Sequence, residues 1–143
     1  MVNDVLLNKV AIIERCLARV ESEYRGHEDE LETNFTRQDS IILNLQRACE
    51  ASIDAAMHLV RVRKLGVPQE SRDAFDMLSG ASIITDALSE RLKAMVGFRN
   101  VAVHDYRRLN IEVVRKIIEE HVCDFKEFGR AVLNSERISV GIE

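Results

Sequence analysis

An arginine, a histidine and a tyrosine sit close together in the run Arg99-Asn100-Val101-Ala102-Val103-His104-Asp105-Tyr106. Histidine titrates near neutral pH and gives or takes a proton. Arginine offers a planar fork that matches phosphate oxygens. Together they suffice for metal-free RNA cleavage. The ribose 2′-OH loses its proton and attacks the adjacent phosphorus, the guanidinium stabilises the phosphorane, and the 5′-oxygen leaves with a proton. Charge stabilisation of this kind is worth several kcal/mol per well-placed donor. DNA lacks the attacking hydroxyl and would survive.

The spacing constrains how the pair can meet. Leu88, Leu92, Met95 and Arg99 recur at four, three and four residues, which puts Arg99 on the apolar face of a helix. A guanidinium is costly to bury alone, so it must meet an anion, a polar cleft or a partner subunit. His104 lies five residues on, about 140° around an unbroken helix, so the two would not converge. Val101 and Val103 weaken helix propensity between them. Either the helix ends there and the chain turns, or convergence occurs across a symmetry axis. An arginine paired with a local acid and a histidine at a helix end is the plainer alternative, which the pair by itself does not exclude.

The elements that must position these residues read as helices. Leu6, Val10, Ile13, Leu17, Val20 and Tyr24 form one stripe, predicting a helix over residues 3–24 that stops near Gly26. The acidic stretch 21–32 that overlaps its end reads as a solvated loop or face. A longer helix is predicted over residues 37–64, with Thr36 and Asp39 as a weak capping box. Its stripe is Ile41, Leu45, Ala48, Ser52, Ala55, Leu59 and Val62; Ala51 and Ala56 keep neighbouring faces small, suiting a central or dimer-facing helix. A short helix over 71–79 follows, capped by Ser71 and anchored by Phe75 and Leu78. Another starts near Thr85 and carries the Arg99 motif. Asn110 is expected to cap a last helix to about 134, striped by Val114, Ile118, His121, Phe125, Phe128 and Val132. The reading is an all-α bundle of four or five helices in a single domain over residues 1–143.

Bulk properties agree. The chain of 143 residues is long enough for a real core, and one proline, six glycines and no tryptophan disfavour a turn-rich β fold. No stretch reaches the roughly 20 apolar residues of a membrane span, and the N-terminus does not read as a signal peptide, so the cytoplasm is the expected location. Cys16, Cys49 and Cys123 have neither disulfide nor zinc spacing and are expected to be small buried hydrophobes. Net charge is −4, but Arg91, Lys93, Arg99, Arg107, Arg108, Arg115 and Lys116 concentrate positive charge in the second half, where an anion-binding surface should lie. Glu50, Asp54 and His58 share a helix face that could hold a metal, though a structural polar stripe is favoured. His121 reads as a satisfied core histidine, and His27 as an unremarkable loop residue. No metal or cofactor is called for.

The run MVGFRNVAVHDY at 95–106 resembles the core of the HEPN family of helical RNase toxins, whose signature is an arginine and a histidine four to six residues apart. Arg99, His104 and Tyr106 match the R-x4-H-x-Y form of its HepT-like branch. DSIILNLQRACEASIDAAMHLV at 39–60 and VPQESRDAFDML at 67–78 are also similar to that group, so the resemblance covers nearly the whole chain. It implies a symmetric homodimer with both motifs facing one cleft. It also implies metal-independent endoribonuclease activity leaving a 2′,3′-cyclic phosphate, in a toxin–antitoxin system whose antitoxin is a minimal nucleotidyltransferase. In these terms Arg99 and His104 are catalytic, Asn100 and Asp105 support them, and Tyr106 is the target for AMP transfer. Arg107 and Arg108 extend an RNA track. The rival reading is a non-catalytic helical module serving a nucleotidyltransferase.

Overall fold

Side-chain caps decide where the helices begin. The structure, a computed structural model, describes residues 3–139, so residues 1–2 and 140–143 of the expected domain lie outside it. Helix α1 spans Asp4–Tyr24. The Asn3 side-chain oxygen accepts from the amides of Val5 at 2.9 Å and Leu6 at 3.3 Å, satisfying donors that a helix start leaves open. All six expected stripe residues of α1 are buried. Gly26, with φ 83°, then takes the left-handed turn that glycine adopts without strain.

Helix α2 spans Phe35–Val62 and starts earlier than predicted. Asn34, not Thr36, is its cap, accepting from the Arg37 amide at 3.1 Å. Asparagine caps at least as well as threonine, and it comes first in the chain. Asp39 is therefore released from capping and stands exposed on the second turn. Along α2 the stripe from Ile41 to Leu59 is buried; Val62, at the last residue, is not. Ala48, Ala55 and Ala56 are fully buried, and α2 packs on α1 and three other helices, so its small faces receive neighbours within the protomer.

The remaining helices are α3 (Ser71–Gly80), α4 (Asp86–His104), α5 (Ile111–Lys116) and α6 (Val122–Ser139). Asn110 caps α5 as expected, accepting from Glu112 N at 2.9 Å, and Thr85, near which α4 is predicted to begin, caps it, accepting from Leu88 N at 3.1 Å. Ser71 does not cap α3. The Asp73 carboxylate instead accepts from the amides of Gln69 and Glu70 at 2.9 and 3.2 Å. The predicted last helix is longer than expected and contains a π-helical stretch, Ile117–His121, between α5 and α6. Such a stretch widens the turn locally. Ile117 and Ile118 are both buried there.

Two expectations about individual residues change, and for Glu50, Asp54 and His58 the favoured reading of a structural polar stripe holds. The acidic stretch is tied down rather than merely solvated: Leu31 is fully buried, Arg115 donates to the Glu28 carbonyl at 3.0 Å and pairs with Glu32, and Arg37 donates to the Glu23 carbonyl at 2.9 Å. Cys123 lies on the outer face of α6 and is exposed, whereas Cys16 and Cys49 are buried. Glu50, Asp54 and His58 do not converge on a common centre. They bond Gln46 (3.2 Å), Lys9 (3.2 Å) and Asn3 (2.9 Å), and no metal-holding cluster exists among the described residues. His121 is satisfied as expected, 2.9 Å from the buried Asp124, which Arg91 also contacts at 2.8 Å.

The core closes around aromatic rings. Phe75 of α3 and Phe128 of α6 meet edge to face, with centroids 5.7 Å apart and planes at 73°. Phe128 is fully buried. Phe128→Ala should lower unfolding stability by about 3–5 kcal/mol in urea titrations; a loss below about 1 kcal/mol would mean that α3 is not anchored there.

Candidate functional site

Helix α4 carries the motif, and it does not break. It runs without interruption to His104, and the Asp105 amide closes its last turn on the Val101 carbonyl at 2.9 Å. Packing overrides the weak propensity of the two valines: Ala102 between them is buried, while Val101 and Val103 point outward. The first of the two routes to convergence, a chain turn between Arg99 and His104, is thereby removed. On a continuous helix the two side chains diverge by about 140°.

Arg99 follows Leu88, Leu92 and Met95 inward, as the spacing predicts, and enters the junction of α2, α3 and α4. Its Nη2 lies 3.5 Å from the hydroxyl of Ser71, the first residue of α3, whose N-cap is Glu70. Its Nε is buried and bonds nothing. Burial pushes the Cys49 thiol of α2 up to about 12, with the Arg99 charge acting in the opposite sense, which places the guanidinium beside that helix as well. No carboxylate pairs with Arg99 among the described residues. The local-acid alternative for Arg99 has no partner to offer.

His104 ends α4 and is exposed. Asn100 is half-buried beside Arg99 in sequence. Asp105 is the C-cap, and its carboxylate faces Arg108 at 3.6 Å rather than a histidine. A 3-10 turn, Tyr106–Arg108, follows. The Tyr106 hydroxyl donates to the Asp39 carboxylate of α2, and burial together with that carboxylate holds the phenol above its ordinary range. Arg107 is exposed and pairs with no acid among the described residues.

The second-half cations thus divide. Arg91, Lys93, Arg108 and Arg115 have carboxylate partners. Arg99, Arg107 and Lys116 have none among the described residues and remain available to an outside anion. Spacing alone does not mark three residues as neighbours of the motif: Asp39 and Ser71, which read as parts of helix caps, and Arg72. A Cβ added at Gly97 would come within 3.2 Å of the Arg72 guanidinium, so α3 crosses α4 close to the motif. A glycine inside a helix costs about 1 kcal/mol relative to alanine, and that penalty was the available signal for a close approach.

The helical bundle is that of a HEPN-type protein, as its likeness to a solved HEPN toxin shows. More narrowly, the chain belongs to the ribonuclease HepT-like family, whose model matches residues 13–132. It is 49% identical over 126 residues to the mRNA nuclease HepT of Shewanella oneidensis, covering 88% of this chain and 94% of that protein. A solved structure of a tri-AMPylated Shewanella oneidensis HEPN toxin in complex with an MNT antitoxin superposes with a TM-score of 0.86 at 48% identity, covering 91% of this chain and 97% of the other. A Bacillus subtilis cytosolic protein, YutE, shares the fold alone: TM-score 0.82, 14% identity, 96% of this chain and 92% of the other. Among the described residues no helix is long and apolar enough to cross a membrane.

Replacing a poorly compensated guanidinium on an apolar face by a hydrophobe of similar length should stabilise the fold. Arg99→Met is expected to raise unfolding stability by about 1 kcal/mol in urea titrations. A marked loss would show that Arg99 is a structural pillar.

Proposed function

We propose that this chain is a metal-independent endoribonuclease, the toxin of a toxin–antitoxin pair, and that a nucleotidyltransferase antitoxin restrains it. The observation that carries the reading is Arg99: a guanidinium whose buried Nε bonds nothing and which has no carboxylate among the described residues. Arg37 and Arg63 also bury an unbonded Nε, but their guanidinium groups are held by Glu23 and Ser135, whereas Arg99 has only a long contact to Ser71 among the described residues; a phosphodiester fits its fork. The names borne by relatives, an mRNA nuclease and an AMPylated toxin bound to its antitoxin, support the same class.

The unit is a symmetric homodimer. Because α4 is continuous, Arg99 and His104 cannot meet within one protomer, and a two-fold axis brings Arg99 of one copy toward His104 of the other. Exposed Val101 and Val103 flank the motif, and Val113 stands exposed on α5, an apolar fringe that a second copy would cover. In the shared cleft Arg99 binds the scissile phosphate and stabilises the phosphorane. His104 is the general acid/base. The 2′-oxygen forms a bond to phosphorus, the bond to the 5′-oxygen breaks, and the products are a 2′,3′-cyclic phosphate and a 5′-hydroxyl. Asn100 orients the phosphate or the imidazole, Asp105 supports the helix end, and Arg107 and Arg108 extend the track for RNA.

The antitoxin's effect is electrostatic. Transfer of AMP from ATP to the Tyr106 oxygen places a bulky anion two residues from His104, where it competes for the cationic cleft and repels RNA. The cytoplasm, where RNA and ATP are both present, is the compartment this activity needs.

Purified dimer should cleave RNA in EDTA and leave an oligonucleotide with 2′-deoxyribose at the cleavage site intact. Arg99→Ala and His104→Ala should each reduce the rate by roughly 100-fold or more while remaining folded dimers. Full activity in folded His104→Ala would contradict the assignment. Wild-type protein inert on RNA after mass spectrometry has excluded attached AMP would favour the non-catalytic module.

A further inference from the structure

Tyr106 leaves the end of α4 on a single 3-10 turn, yet its hydroxyl reaches across the bundle to Oδ1 of Asp39 on α2. Asp39 pairs with no cation among the described residues, so the phenol is its one side-chain partner there. Both residues are exposed, so the pair lies at the surface of the bundle rather than in its core. The phenol is protonated at neutral pH, and its surroundings hold it so more firmly than water would. An attack by this oxygen on phosphorus must therefore give up a proton.

We propose that Asp39 is the general base for AMP transfer to Tyr106, so that the toxin supplies part of the chemistry of its own inactivation. This rests on the reading of Tyr106 as the modified residue. In the step, the Tyr106 oxygen bonds to the α-phosphorus of ATP held by the nucleotidyltransferase. The bond from that phosphorus to the bridging oxygen breaks, and pyrophosphate leaves. The phenolic proton passes to Asp39 Oδ1 and from there to solvent. Afterwards the tyrosine oxygen has no proton to donate and carries a phosphodiester anion. The original contact cannot re-form, because two negative groups would face each other. The modified side chain is thus driven off α2 and kept exposed.

The test measures AMP incorporation by intact mass spectrometry, with full-length toxin, its cognate nucleotidyltransferase and ATP. Asp39→Asn keeps the shape and an acceptor oxygen but cannot take a proton at neutral pH. It should lower kcat for AMP transfer roughly 100-fold with KM for ATP unchanged, and Asp39→Glu should recover much of the loss. Equal kcat in wild type and Asp39→Asn would overturn the assignment. So would a defect confined to KM for the toxin or to complex formation, which would make Asp39 a docking residue. Wild type that accepts no AMP, or Tyr106→Phe that still accepts it, would overturn the underlying reading of Tyr106 instead.

Discussion

Arg99 is the last member of an apolar row on α4, and it carries a guanidinium where the row's other members carry apolar side chains. Leu88, Leu92 and Met95 lead the helix face into the core, and the guanidinium follows them into a junction that, among the described residues, offers only a serine hydroxyl at 3.5 Å. Much of the surrounding structure can be understood as what is needed to hold that group open. Glu70 is the N-cap of α3, so the cap does not use the Ser71 hydroxyl. Gly97 lets the Arg72 side chain lie against α4 two residues before Arg99. Neighbouring cations are meanwhile paired off: Arg91 with Asp124, Lys93 with Asp76, Arg115 with Glu32. An acid supplied locally to Arg99 would have stabilised the fold and blocked the anion site together.

The straightness of α4 carries equal weight. A chain that turned between Arg99 and His104 could have built a complete site in one protomer. The helix instead continues to His104 because Ala102 packs inward, and Asp105 closes the end. Under the proposed mechanism this makes the dimer the catalytic unit. Tyr106 follows directly from the end of the same helix. It lies just past the histidine but is tethered to Asp39 of α2, so under the proposed mechanism the residue to be modified is held by a different helix from the one that carries Arg99 and His104.

Periodicity alone located the helices, because each buries one continuous stripe; the α1 and α2 stripes lie where their spacing put them, apart from Val62 at the frayed end. Capping was less readable. Asn34 outcompeted Thr36, and Asp73 displaced Ser71, since neighbouring polar residues can all cap and local sequence does not rank them. The inward path of Arg99 followed from spacing, whereas its lack of a carboxylate depended on how distant acids were spent. Asp39 was invisible as a partner of Tyr106 because 67 residues separate them and nothing in helical spacing links an early turn of α2 to the end of α4. Cys123 turned outward because its neighbours Val122, Asp124 and Phe125 take the inner positions of α6.

The central claim is that one protomer's arginine works with the other's histidine, and mixed dimers test it directly. Arg99→Ala and His104→Ala chains, each inert alone, should be co-expressed with different tags and the heterodimer isolated. Such a dimer keeps one intact arginine–histidine pair across the axis, so it should cleave RNA at about half the wild-type rate per dimer. A heterodimer as inactive as its parents would place both residues of the site in a single protomer and contradict the account.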